Sequence, residues 1–183
     1  MAAKSTTKSS KGSKTSLLGE DVQKKLFIRL TTKIKNEFKW AGDKAVKTYG
    51  KDPTKKSTLE KFNEKINEEI TKKFEKIKYQ DPKKVQKEYK SLADKILKDA
   101  AKHDKSVRGV SVKASKTSFK GAVASASKTS TTSKDGGSIM STYEVAANKG
   151  QKIIDDYVKA CETGVMPSDG WWASIKKFFG FGS

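Results

Sequence analysis

The sequence predicts an all-α chain, and three observations carry that prediction. Apolar residues recur every three or four positions through several separate stretches, the period of helices with one buried stripe. Two Asp-Pro pairs, Asp52-Pro53 and Asp81-Pro82, stand at the heads of such stretches. An Asp cap followed by proline is a sound helix start, because the amide hydrogen that proline lacks has no intrahelical partner there. The strongest stripe is Leu59, Phe62, Ile66, Ile70, Phe74 and Ile77, and a one-sided helix of about twenty residues needs a partner to be stable in water. The expected architecture is three amphipathic helices in a bundle or extended helical assembly. A basic Ser/Thr-rich connecting segment, a fourth helix and a short aromatic C-terminal helix follow.

The first sixteen residues hold four lysines, no acid and no large apolar residue after Met1. Such a segment cannot form a core and is expected to be a mobile cationic arm when unbound. From Leu17 the pattern changes. Val22, Leu26, Leu30, Ile34 and Phe38 recur every four residues, predicting a helix over about 20–39. A second helix or a bent continuation is expected over 41–49, with Gly42 at the join and Gly50 as the stop. In the central helix, Ser57 and Glu60 have the spacing of a capping box. The third helix, about 82–103, presents Val85, Tyr89, Leu92, Ile96 and Leu97, with Ala93 and Ala100 permitting close approach. Short joins between these helices favour an antiparallel bundle over residues 17–104.

Periodicity is then lost. Residues 105–138 hold seven basic residues, one acid and thirteen serines or threonines. Thirty-four residues of this kind are too many for an ordinary loop. They predict a linker, or a segment ordered only against a polyanion or a neighbouring subunit. Residues 139–183 form the last region. Ser141 and Glu144 suggest a capping box, Tyr143 to Cys161 an apolar helical face interrupted at Gly150, and Gly164 a stop. Beyond Pro167, the side chains Trp171, Trp172, Ile175, Phe178 and Phe179 fit one side of a short helix, with Phe181 as a further anchor. Three placements fit this aromatic set: the chain's own core, a neighbouring copy, or a membrane interface.

Charge divides the chain unevenly. The net +19 is almost wholly lysine, with Arg29 and Arg108 the only arginines. Residues 1–16 carry +4 and 105–138 carry +6, whereas 139–183 carry zero. Lysine is a flexible point charge that neutralises phosphate without reading base edges. The expected phosphate-contacting residues are Lys4, Lys8, Lys11 and Lys14 in the arm. In the second basic segment they are Lys105, Arg108, Lys113, Lys116, Lys120, Lys128 and Lys134. The expected partners are DNA or RNA bound without sequence specificity, other copies of the chain, and as an alternative an anionic membrane surface.

Enzymatic chemistry finds little support in the pattern. Glu64, Glu68, Glu69 and Glu75 belong to lysine-rich helix faces, where Glu68–Lys72 and Glu69–Lys73 have the favourable order for surface pairing. His103 and Cys161 are the only residues of their types. No metal set, cofactor motif or internal disulfide is expected from them. His103 reads as a surface or capping residue and Cys161 as small buried packing. The N-terminus lacks the apolar run of a secretory signal. The sequence reading is therefore a non-enzymatic, self-assembling protein that packages nucleic acid, of viral coat or nucleocapsid type. Its setting would be the virion, or otherwise the cytoplasm or nucleus. A cellular DNA- or RNA-organising protein and a peripheral membrane or secretion-associated protein are the alternatives.

Overall fold

The computed structural model describes residues 16–112 and 137–166 together with Trp172. All regular structure among the described residues is helical: α1 (Glu20–Tyr49), α2 (Pro53–Lys76), α3 (Pro82–Arg108) and α4 (Ile139–Thr163). The joins Gly50–Asp52 and Ile77–Asp81 are short, so α1, α2 and α3 run antiparallel in turn. Helix α4 packs antiparallel against both α1 and α3, closing a four-helix bundle. At one end the Leu17 amide donates to the Cys161 carbonyl at 2.8 Å; at the other, α4 begins beside the last turns of α3.

Local chemistry explains the helix limits. Asp52 and Asp81 each accept the amide hydrogen three residues on, at 2.9 and 3.1 Å, with proline in the first turn. The cap of α2 is thus Asp52, and Ser57 lies a turn inside the helix rather than forming a box with Glu60. In α4 the cap is Ser138, which exchanges hydrogen bonds with Ser141, so that capping box sits one turn earlier than Ser141 and Glu144 suggest. Gly109 and Gly164 end α3 and α4 in the left-handed region, where a side chain would be strained.

Two glycines that read as breaks are instead points of close helix contact. Helix α1 continues through Gly42, where the Asn63 side chain of α2 lies over the bare backbone. The Tyr143 hydroxyl of α4 donates to that same Asn63, so three helices meet at the notch. Gly150 leaves room on α4 for Tyr89 of α3, whose hydroxyl donates to the Ala147 carbonyl at 2.7 Å.

The core is one continuous cluster drawn from all four helices. The α2 stripe from Leu59 to Ile77 is buried throughout, each large side chain contributing roughly 1.5–3 kcal/mol by leaving water. Phenols bind the ends and crossings. The Tyr79 carbonyl accepts from Gln23 Nε2 at 2.7 Å and from the Tyr157 hydroxyl at 2.9 Å, tying the α2–α3 turn to α1 and α4.

Burial raises the pKa of Tyr49, Tyr89, Tyr143 and Tyr157 above the ordinary 10.0, and Tyr79 is raised by desolvation and by Glu20. An acid whose pKa is higher folded than unfolded keeps its proton in the native state and loses it on unfolding. Stability is therefore intact below pH 10 and falls as pH rises above it. Alkaline titration is expected to release phenolate cooperatively with the loss of helical circular dichroism. Phenolate absorbance appearing near pH 10 in a fully helical protein would contradict this packing.

Candidate nucleic-acid interface

The cations expected to meet phosphate are placed unequally. Lys4, Lys8, Lys11, Lys14, Lys113, Lys116, Lys120, Lys128 and Lys134 lie outside the described residues. Lys105 is exposed on the last turn of α3. Arg108, by contrast, faces inward. Its guanidinium donates to Asp104 Oδ1 at 2.9 Å and lies over the Tyr49 ring at 4.9 Å, with the side chain only 15% exposed. That guanidinium is committed to holding helix ends together, which corrects its expected place among freely available cations.

The reason is Asp104, a fully buried carboxylate. Its two oxygens accept the backbone amides of Ile139 and Met140 at 2.8 and 2.9 Å. These are unpaired donors of the first turn of α4, and the carboxylate also lies at the positive end of that helix dipole. Asp104 therefore caps a helix whose start is 35 residues further along the chain. It anchors both exits of the 109–138 connection to the same corner of the bundle.

The aromatic set divides as well. Trp172 is 2% exposed and donates its indole N–H to Asp156 at 3.2 Å, so it belongs to the chain's own core and is not available as an assembly or membrane contact. Trp171, Ile175, Phe178, Phe179 and Phe181 lie outside the described residues. A tryptophan that is exposed is Trp40 on α1, flanked by Lys44 and Lys149 at 5.1 and 4.8 Å from its ring. No helix among the described residues is long and apolar enough to cross a membrane.

Glu68, Glu69, Asp155 and His103 have structural partners. Glu68 pairs with Lys72 at 3.7 Å as its spacing suggests. Glu69 instead reaches Lys95 of α3, and Lys73 reaches Glu88. Asp155 accepts from Gln86 and Gln151, both at 2.7 Å. His103 is half-buried: its ring stacks on Phe62 at 4.0 Å and its Nδ1 lies 2.8 Å from the Asp99 carbonyl. Cys161 is buried, and burial pushes its thiol pKa up. An open depression of about 550 Å³ lies between the start of α2 and the end of α3. Lys55, the cation on its wall, is paired with Asp52.

The outer faces of the helices differ in a way that charge counted along the chain conceals. Successive residues turn by about 100° around a helix, so the outward residues of each helix can be read from its buried ones. On α3 they are Lys84, Lys87, Ser91, Lys95, Lys98, Lys102 and Lys105, all exposed. The corresponding arc of α2 carries Lys61 and Lys72 against Glu64, Glu68 and Glu75. That of α1 carries Lys25, Lys39 and Lys47 against Asp21 and Asp43. The acids of α3 stand to the sides or inside. Glu88 is bonded to Lys73, which with Lys84 and Lys87 holds its carboxyl below the usual range. Asp104 is buried, and Asp99 and Asp94 flank the arc. Compared with known protein families, curated proteins and solved structures, the chain shows no match.

Proposed function

We propose that the protein is a non-enzymatic structural protein that binds and packages nucleic acid through lysine–phosphate contacts and self-assembles, as a viral coat or nucleocapsid-type protein does. One observation carries the reading: the uneven charge, with +4 in residues 1–16 and +6 in 105–138 against zero in 139–183. A general habit of lysine-rich sequence would spread through the last region too. Lysine-dominated binding neutralises phosphate with little preference among sequences, for DNA or RNA alike. In this reading the bundle spaces the copies, and the basic segments reach the polyanion. Trp171, Ile175, Phe178, Phe179 and Phe181 then serve as contacts to a neighbouring copy.

Trp172 bears on the membrane alternative. Its burial against Asp156 removes one of the two adjacent tryptophans from any lipid-facing set. A cellular nucleic-acid-organising protein shares the chemistry of the first reading and differs in what it assembles on.

The test is polynucleotide affinity across salt for the full chain and for a form lacking residues 1–16. Each lysine–phosphate contact contributes about 0.9 to the slope of log affinity against log salt on duplex DNA, and about 0.7 on single strands. Removing the four arm lysines is expected to reduce the slope by up to about 3.6 on duplex DNA. Negligible affinity of the full chain at low salt would sink the reading. So would strong vesicle flotation, lost on truncating 168–183, in a chain that ignores polynucleotide. Imaging of particles from the native source, before and after nuclease, is expected to show nucleic acid within them.

A further inference from the structure

From the exposed lysine row on α3, we infer that the folded body itself contains a phosphate-binding track. The track is formed by Lys84, Lys87, Lys95, Lys98, Lys102 and Lys105, and its ligand is the sugar–phosphate backbone of a nucleic acid strand or duplex. The inference rests on the nucleic-acid reading above and adds to it a site of fixed geometry.

The spacing makes the row. Its positions, with Ser91 included, are separated by three, four, four, three, four and three residues. At about 100° per residue this keeps all of them within about 40° of one line along the helix. The row spans 21 residue steps, or about 31 Å at 1.5 Å per residue, with no acid on it. Of the six lysines, Lys95 leans to Glu69 and Lys102 to Asp99, at 2.9 and 3.4 Å. Among the described residues, Lys84, Lys87, Lys98 and Lys105 are exposed and make no salt bridge, with Lys84 and Lys87 close enough to Glu88 to help lower its pKa.

A solvated helix face ordinarily intersperses signs, which lets i,i+4 pairs form. Helix α2 does so, and its Lys56–Glu60 and Lys72–Glu68 pairs are the result. Six like charges in a row repel one another, at a cost to the helix that a polyanion removes. Between the two anionic surfaces that could serve, the row favours nucleic acid. Membrane-surface helices present apolar side chains beside their cations. Here the apolar side of α3 is turned into the core, and the row holds only lysine and serine. A straight cationic rod without anchors suits a linear phosphate chain, and lysine's compact charge asks for no particular base. The row ends at Lys105, the first residue of the second basic segment, so the two cationic elements adjoin in sequence.

The test compares three full-length proteins: the parent, Lys84/Lys87/Lys98/Lys105→Gln, and a charge-matched control with Lys39, Lys61, Lys65 and Lys152→Gln. Glutamine keeps helix propensity, and circular dichroism verifies that all three are folded. Binding of a random-sequence DNA duplex and of a single-stranded RNA is measured over a salt series. The α3 variant is expected to bind at least tenfold more weakly at low salt. Its salt slope is expected to fall by about one per lysine on duplex DNA, with the control changing by less than half as much. Equal effects of the two variants would overturn the track in favour of diffuse net charge. A parent that binds while the α3 variant keeps its slope would also overturn it, leaving the nucleic-acid reading intact. A parent that does not bind would remove that reading itself. Loss of the variant's flotation with phosphatidylserine–phosphatidylcholine vesicles, at unchanged polynucleotide slope, would reassign the row to a membrane and defeat the inference.

Discussion

Replacing Asp104 with alanine is expected to destabilise the bundle by about 4 kcal/mol, within the range of about 3–5 kcal/mol for breaking a buried charged pair from one side. Three donors lose their acceptor together: the Ile139 and Met140 amides and the Arg108 guanidinium. For a chain of 183 residues, this corresponds to a fall in Tm of about 8–16 °C at roughly 2–4 °C per kcal/mol. Arg108→Ala is expected to cost less, because the carboxylate keeps both amides and the lost guanidinium is the more exposed partner. The double variant is the decisive measurement. If the three groups act together, Asp104→Ala/Arg108→Ala costs less than the two single changes added. Strict additivity, or an Asp104→Ala loss below about 1 kcal/mol, would mean that α4 does not depend on this cap.

Asp104 also shows why this part of the fold was illegible in the sequence. Local caps can be read from neighbours, and Asp52 and Asp81 were, because each acts on an amide three residues away. A carboxylate that caps a helix 35 positions later leaves no local trace. In a lysine-rich helix end it looks like one more surface acid. The α2 stripe was legible for the opposite reason: helical period and burial are both local, and Leu59 to Ile77 are buried as their spacing implies. At Gly42 a second helix and a continuation stayed open, since what Gly42 does is decided by Asn63 and Tyr143 on other helices.

The candidate interface was half legible. Net charge by segment drew attention to residues 1–16 and 105–138, and it cut α3 at residue 104, while the helix runs to Arg108. Residues 80–104 as a whole carry only +2, because Asp81, Glu88, Asp94, Asp99 and Asp104 offset the lysines. Those acids cap, flank or lie beneath the row and none stands on it. The row itself is legible in the three- and four-residue spacing of the lysines. The inward commitment of Arg108 would still have been missed, because it depends on Asp104 being turned toward α4.

Gly150→Ala is the second large expected effect, and its sign runs against helix propensity. In an exposed helix interior, alanine is favoured over glycine by about 1 kcal/mol. Here a Cβ would fall far inside van der Waals contact with the Tyr89 hydroxyl oxygen and 2.8 Å from its Cζ. Tyr89 is fully buried and its ring is rigid, so it cannot swing aside into solvent. Relief requires either separating α3 from α4 or giving up the hydroxyl's bond to Ala147. Overpacking of this kind costs typically about 1–3 kcal/mol, and a buried hydroxyl left unpaired adds about 1–3 kcal/mol. A net loss of about 2–3 kcal/mol is expected after the propensity gain. Adding Tyr89→Phe removes the closest atom but leaves the ring carbon at 2.8 Å, so rescue is expected to be partial. Adding Tyr89→Leu removes the ring and is expected to relieve the clash further while opening a cavity. Denaturant unfolding of the three proteins separates these terms. A more stable Gly150→Ala variant would show that α3 and α4 do not approach as closely as the Tyr89 notch requires.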